Sequence, residues 1–88
     1  MGEVMSLVEE VAFHKLDQRL AGLLLRVREP GTPIPLTHQE VAENLGCSRE
    51  IVSRILESFK IRGMVELGRK RIVVTGEKEL RRTADATL

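Results

Sequence analysis

Two glycines, Gly46 and Gly63, each close a run of apolar residues at helical spacing, and this punctuation limits the available folds more than any other feature. Thr37 is followed three positions later by Glu40, the pair in which each side chain satisfies a free backbone N–H at a helix start. The spacing predicts a helix opening there, with Val41, Ala42 and Leu45 on one face, and ending at Gly46, which tolerates the left-handed turn that stops a helix. Ser48 is a second N-cap. The helix it opens, Ser48 to Arg62, carries Val52, Ile55, Leu56 and Phe59 as an apolar stripe before Gly63. Two helices joined by one tight glycine turn predict a helix-turn-helix. Val41, Leu45, Cys47, Val52 and Ile55 fall where the pair must pack, and Ala42 leaves room for a close crossing. Cys47 is read as a small packing residue rather than a redox thiol.

Upstream, residues 3–28 contain no proline, and Leu16, Leu20, Leu23, Leu24 and Val27 follow helical periodicity. A long amphipathic helix is expected, bending or breaking between Phe13 and Leu16, where the leading stripe of Val4, Leu7, Val8 and Val11 ceases to align. That leading stripe suits burial in its own domain or against a partner subunit. Gly22 marks either a close helix contact or a local weakness. Pro30, Gly31 and Pro33 force a loop, and Ile34 to Leu36 form a very short extended segment. After Gly63, Met64–Leu67 and Arg71–Thr75 read as strands around a Gly68–Lys70 turn, a hairpin in the place of a wing. A short helix is expected over Glu77 to about Ala84. The fold class is thus mostly α with a small β-hairpin: a winged helix-turn-helix preceded by a long helix. Its segments are 1–14 as the tail of a dimerisation or linker helix, 15–84 as the domain, and 85–88 as a frayed C-terminus.

Eighty-eight residues allow one modest core. No stretch is long and apolar enough to span a membrane, and no signal-peptide pattern is visible, so a cytoplasmic setting and no membrane partner are expected. One cysteine excludes an internal disulfide, and with His14 and His38 it forms no metal-ligand spacing, so no metal is expected. The net charge of +1 hides an asymmetry: residues 1–45 carry four Lys/Arg against seven Asp/Glu, whereas residues 46–88 carry ten against six. Any one of Lys60, Arg62, Arg69, Lys70, Arg71, Arg81 and Arg82 is best read as solvated surface. Clustered after a helix-turn-helix, they are expected to form a cationic rim for a phosphate backbone, with Arg69 and Lys70 at the wing tip. Arg49, Glu50, Ser53 and Arg54 stand outside the apolar seam at the start of the second helix, where a recognition helix meets base edges. Arginine can bond guanine through two N–H groups, and glutamate can accept from the cytosine amino group. Glu50 is also expected to orient the two flanking guanidinium groups. His38 is read as a bystander.

The run T-H-Q-E-V-A-E-N-L-G-C-S-R-E-I-V-S-R, from Thr37 through Arg54, closely resembles the C-terminal DNA-binding domain of the Crp/Fnr family of transcription regulators. The wing V-E-L-G-R-K-R-I-V-V-T-G fits without a gap, and V-A-F-H-K-L-D-Q-R-L-A-G-L-L-L resembles the end of the family's dimerisation helix running into the first helix of the DNA-binding domain. The resemblance implies that Arg49, Glu50 and Arg54 read a half-site containing T-G-A, and that Thr37, Gln39 and Ser48 hold phosphates. Ser53 matches a base-reading serine of the fumarate-nitrate branch, while Arg49 is typical of the cyclic-AMP branch, so the half-site is G-T-G-A or T-T-G-A. His38 and Ile51 depart from the pattern at positions where the cyclic-AMP branch contacts phosphates. The resemblance further implies a homodimer on an inverted repeat of double-stranded DNA, contact with RNA polymerase, and a β-roll sensor that nothing in this chain could form. The chain is therefore expected to be a fragment without that sensor, carrying no cofactor itself.

Two other function classes compete. A winged helix used to bind protein would favour apolar residues where this chain has Arg, Glu, Ser and Arg. An enzyme would need a nucleophile–base pair, a phosphate-binding glycine loop or a carboxylate pair in a cleft, and these residues assemble none of them.

Overall fold

A computed structural model describes residues 2–85, with side chains described from residue 15 onward. In chain order the elements are α1 (Gly2–Val27), α2 (His38–Leu45), α3 (Arg49–Ile61), β1 (Val65–Gly68), β2 (Arg71–Val74) and α4 (Glu77–Asp85). The expected helix pair, wing and final helix are all present. Residues 86–88 and the side chains of Val4, Leu7, Val8 and Val11 lie outside what is described.

Of the break or bend expected between Phe13 and Leu16, the break is absent, since α1 runs uninterrupted over 26 residues. A change of apolar face leaves the backbone ladder intact, and neither proline nor glycine interrupts it there. Leu20, Ala21, Leu23 and Leu24 are buried, and Leu16 packs against them from the edge. Val27, expected on the same stripe, is 42% exposed, because α1 stops there and its last turn reaches beyond the core. Pro30 accounts for the stop, as it biases the preceding residue away from helical geometry.

Gly22 makes no close helix contact. A Cβ built on it meets nothing within 4 Å, which leaves local weakness as its effect. Gly22→Ala is expected to raise stability by about 0.5–1 kcal/mol through reduced backbone entropy of the unfolded chain, measurable by urea denaturation.

The helix-turn-helix follows its capping chemistry. The Thr37 N–H donates to Glu40 Oε1 at 2.9 Å, and the Glu40 N–H donates to Thr37 Oγ1 at 3.1 Å, completing the reciprocal cap. Gly46 closes α2 at φ 72°, its N–H donating to the Ala42 carbonyl. Ser48 Oγ accepts from the Ile51 N–H at 3.3 Å to open α3. Val41, Ala42 and Leu45 then meet Val52, Ile55, Leu56 and Phe59 in the same core that receives α1.

The wing is anchored at both ends. Antiparallel pairing sets Val65 opposite Val74 and Leu67 opposite Ile72. Ile34 exchanges both backbone hydrogen bonds with Ile72, at 2.8 and 2.9 Å, so the segment leading into α2 lies along the outer edge of β2. At the base, the Thr75 and Gly76 N–H groups both donate to the Met64 carbonyl. α4 packs on α1, burying Leu80. Glu77 accepts from Arg81 at 2.9 Å and from Arg28 at 3.1 Å, and these two guanidinium groups hold its carboxyl below the ordinary range.

Candidate nucleic-acid interface

α3 is an amphipathic cylinder whose inward stripe is spent on the core, which leaves its N-terminal half to present the remaining side chains. Arg49, Glu50 and Arg54 are exposed, and Ser53 is half-buried on the same stretch. Because α3 is clamped through Val52, Ile55 and Leu56 against two other helices, these polar groups stand on a rigid support. Glu50 is not the orienting carboxylate expected of it. Among the described residues it makes no ion pair with Arg49 or Arg54. Arg49 is its immediate neighbour and lies off its face, while Arg54, four positions on, is within pairing reach along the helix yet stays exposed and unpaired with it.

Three of the residues expected to touch phosphate sit at helix starts. Ser48 caps α3, while Thr37 and Gln39 sit at the start of α2. Gln39 and Ser48 are exposed. In the capping box the Thr37 hydroxyl oxygen accepts from the Glu40 N–H, so what it has to offer a phosphate is its own proton. The Glu40 carboxyl is held below its usual value, first by the Thr37 N–H, next by the Thr37 hydroxyl, and more weakly by the ammonium of Lys70. The Ile34–Ile72 bridge runs the wing alongside the segment that leads into α2. Lys70 holds a left-handed backbone at φ 53°, a conformation costing a non-glycine residue about 1 kcal/mol.

The cationic rim is narrower than its composition implies. Lys60 pairs with Glu57, Arg62 and Arg82 with Glu79, and Arg81 with Glu77. Those four cations are partly neutralised by carboxylates on α3 and α4. Arg69, Lys70 and Arg71, at the turn of the wing, carry no ion pair among the described residues. The reason is helical spacing: Glu77 and Glu79 stand three or four residues before Arg81 and Arg82, where i, i+3 and i, i+4 partners meet.

Two neighbours of the surface were not legible in the chain. His38, read as a bystander, places its Nδ1 2.8 Å from Ser53 Oγ, joining the first residue of α2 to the recognition face of α3. Asp17 of α1 lines a shallow groove with Arg54, Ile55 and Ser58. Neither pairing has a local signal, because the partners lie 15 and 37 residues apart and meet only through helix crossing. No group of three or more His, Cys, Asp or Glu side chains able to hold a metal occurs among the described residues. No helix there is long and apolar enough to cross a membrane.

Comparison with known proteins places this geometry. Residues 18–83 match the model of the Crp-like helix-turn-helix domain. The cAMP-activated global transcriptional regulator Vfr of Pseudomonas aeruginosa is 35% identical, the match taking in 81% of this chain and 37% of that protein. The regulator CRP of Salmonella typhimurium is 34% identical, over 81% of this chain and 38% of its own length. This chain thus spans under two fifths of these relatives. Among solved structures, the Thermus thermophilus catabolite activator protein superposes with a TM-score of 0.83 at 30% identity, covering 93% of this chain and 39% of that one. The reduced CO-sensing protein of R. rubrum gives 0.84 at 26% identity, over 92% and 41%. With its capped helix pair, its wing and its matched sequence, the chain belongs to the Crp-like helix-turn-helix family, the winged DNA-binding domain of Crp/Fnr transcription regulators.

Proposed function

We propose that this chain binds double-stranded DNA in a sequence-specific way, with α3 in the major groove of an inverted-repeat half-site containing T-G-A. Arg49, Glu50, Ser53 and Arg54 read base edges, while Thr37, Gln39, Ser48, Arg69 and Lys70 hold the flanking phosphates. The observation that carries this reading is the division of α3: its apolar stripe is fully committed to the core, and its opening turns present two arginines and a glutamate to solvent. Two copies about a two-fold axis set their recognition helices one turn of DNA apart, which matches an inverted repeat. The role is that of a transcription regulator, as in the relatives named above, rather than an enzyme. Residues 1–14 then serve as the end of a dimerisation or linker helix and 15–84 as the domain that meets DNA. Contact with RNA polymerase, a cytoplasmic location and the absence of any cofactor within this chain belong to the same proposal.

The test compares two variants by fluorescence anisotropy on T-G-A inverted-repeat duplexes across a salt series. Arg54→Ala is expected to weaken binding by about 1–3 kcal/mol and to relax preference at one base pair. Lys70→Ala is expected to weaken all sequences alike and lower the salt slope by about one. If Arg54→Ala left affinity and base preference unchanged, the recognition surface would lie elsewhere. Wild-type binding insensitive to salt would favour a protein-binding wing instead.

A further inference from the structure

The contact between His38 and Ser53 crosses from the first residue of α2 to the groove-facing side of α3, and its two members are both half-buried. Building on the DNA-binding reading, we infer that His38 is a positioning residue for Ser53, and that the proton on its ring sets which way the Ser53 hydroxyl points and so which base edge Ser53 accepts.

Counting donors separates two states of the pair. A serine hydroxyl has one proton to give and two lone pairs to receive with, and a ring nitrogen is either donor or acceptor. When Nδ1 is bare, the Ser53 O–H donates to it across the 2.8 Å contact, and the oxygen turns only lone pairs toward the groove. An acceptor of that kind suits the amino group of adenine or cytosine. When the ring is an imidazolium, Nδ1–H donates to Ser53 Oγ, and the hydroxyl proton is released outward. A donor of that kind suits N7 or O6 of guanine, or O4 of thymine. We assign the neutral ring its Nε2–H tautomer, which leaves Nδ1 bare to receive the Ser53 proton.

Charged groups of both signs surround the pair. On α2 there is Glu40, tied to Thr37; on α3, Arg49, Glu50 and Glu57 stand three or four residues from Ser53, with Arg54 beside it; Lys70 comes from the wing, and Asp17 of α1 adjoins Arg54. Carboxylates, lysine and arginine keep one charge state between pH 5 and 8, so histidine is the side-chain type that changes there. The chain has a second histidine, His14, which makes replacement of His38 itself the necessary comparison.

The experiment measures competition binding of duplexes varied one base pair at a time through the half-site, at about pH 5.5 and about pH 8 and fixed salt, with circular dichroism checking the fold. For the wild type, preference at one position is expected to shift about three- to tenfold from amino-bearing bases toward guanine or thymine as pH falls. His38→Asn keeps a hydrogen-bonding atom near the Nδ1 position but cannot titrate, so its preference is expected to stay constant with pH. Ser53→Ala is expected to erase preference at that position and to make a further His38→Asn change silent there. An unchanged pH response in His38→Asn, or retention of the position's preference in Ser53→Ala while Arg54→Ala still abolishes its own, overturns this inference and leaves DNA binding standing. Failure of every duplex to bind in a salt-sensitive way removes the DNA-binding reading, and this inference with it.

Discussion

Phe59→Ala is expected to cost about 3–5 kcal/mol of folding stability, the range for emptying a fully buried aromatic site. Phe59 is 0% exposed in the one cluster that joins α1, α2, α3 and the wing. Among the described residues the rest of the buried core is aliphatic apart from Met64, so it offers no second ring to slide into the space. The Phe59 carbonyl also accepts from the Met64 N–H at 2.9 Å, so α3's last turn is where helix passes into wing. A small domain is stable by only about 0.05–0.15 kcal/mol per residue, which makes this loss comparable with the whole. The measurement is thermal unfolding followed by circular dichroism, where a drop of about 15 °C or more is expected. A loss below about 1 kcal/mol would mean that the neighbouring leucines collapse into the site and that the core is held elsewhere.

Gly76→Ala is the second large effect, expected at about 3 kcal/mol, the upper part of the range for overpacking. A Cβ on Gly76 would lie 2.7 Å from the Gly63 carbonyl oxygen and 3.1 Å from the Met64 Cα. Both obstacles are backbone, and neither can rotate away. They are also fixed from the other side, since Gly76 N–H donates to Met64 and the Thr75 hydroxyl donates to the Gly63 carbonyl at 3.0 Å. Making room for one methyl group therefore means opening the base of the wing, with loss of both bonds to Met64. Urea denaturation measures the cost. The Gly22→Ala variant, expected to move stability in the opposite direction, separates a local clash from a general intolerance of alanine. Should Gly76→Ala prove neutral, the wing base would have to be far more yielding than its hydrogen bonding implies.

The parts of the molecule that could be read in advance are those whose causes lie within a few residues. The Thr37–Glu40 capping box, the glycine stop at Gly46, the Ser48 cap and the β-branched run from Ile72 to Thr75 each act locally, and each stands where its chemistry predicts. The stripe of α1 was legible through Leu24 and failed at Val27, where periodicity continues but the core does not. The expected break in α1 failed for the opposite reason, because a change of apolar face alters what a helix packs against rather than its hydrogen bonds. Charge was the least legible feature. Counting basic residues foretold a rim, but whether a given arginine serves a phosphate depends on carboxylates that approach from another element, as Glu79 does for Arg62.

Local order along the chain, then, was determined by the sequence alone: where helices start and stop, which faces are apolar, and which four polar side chains open α3. Only the packed molecule decided how those side chains are employed. The crossing of α2 over α3 brought His38 to Ser53, the pairing of Ile34 with Ile72 drew the wing alongside the segment that leads into α2, and the docking of α4 brought Glu77 to Arg28 and Glu79 to Arg62. Capping and periodicity act over three to five residues, so they are written in neighbours; hydrogen bonds and ion pairs between helices depend on crossing geometry, which no short stretch of chain contains.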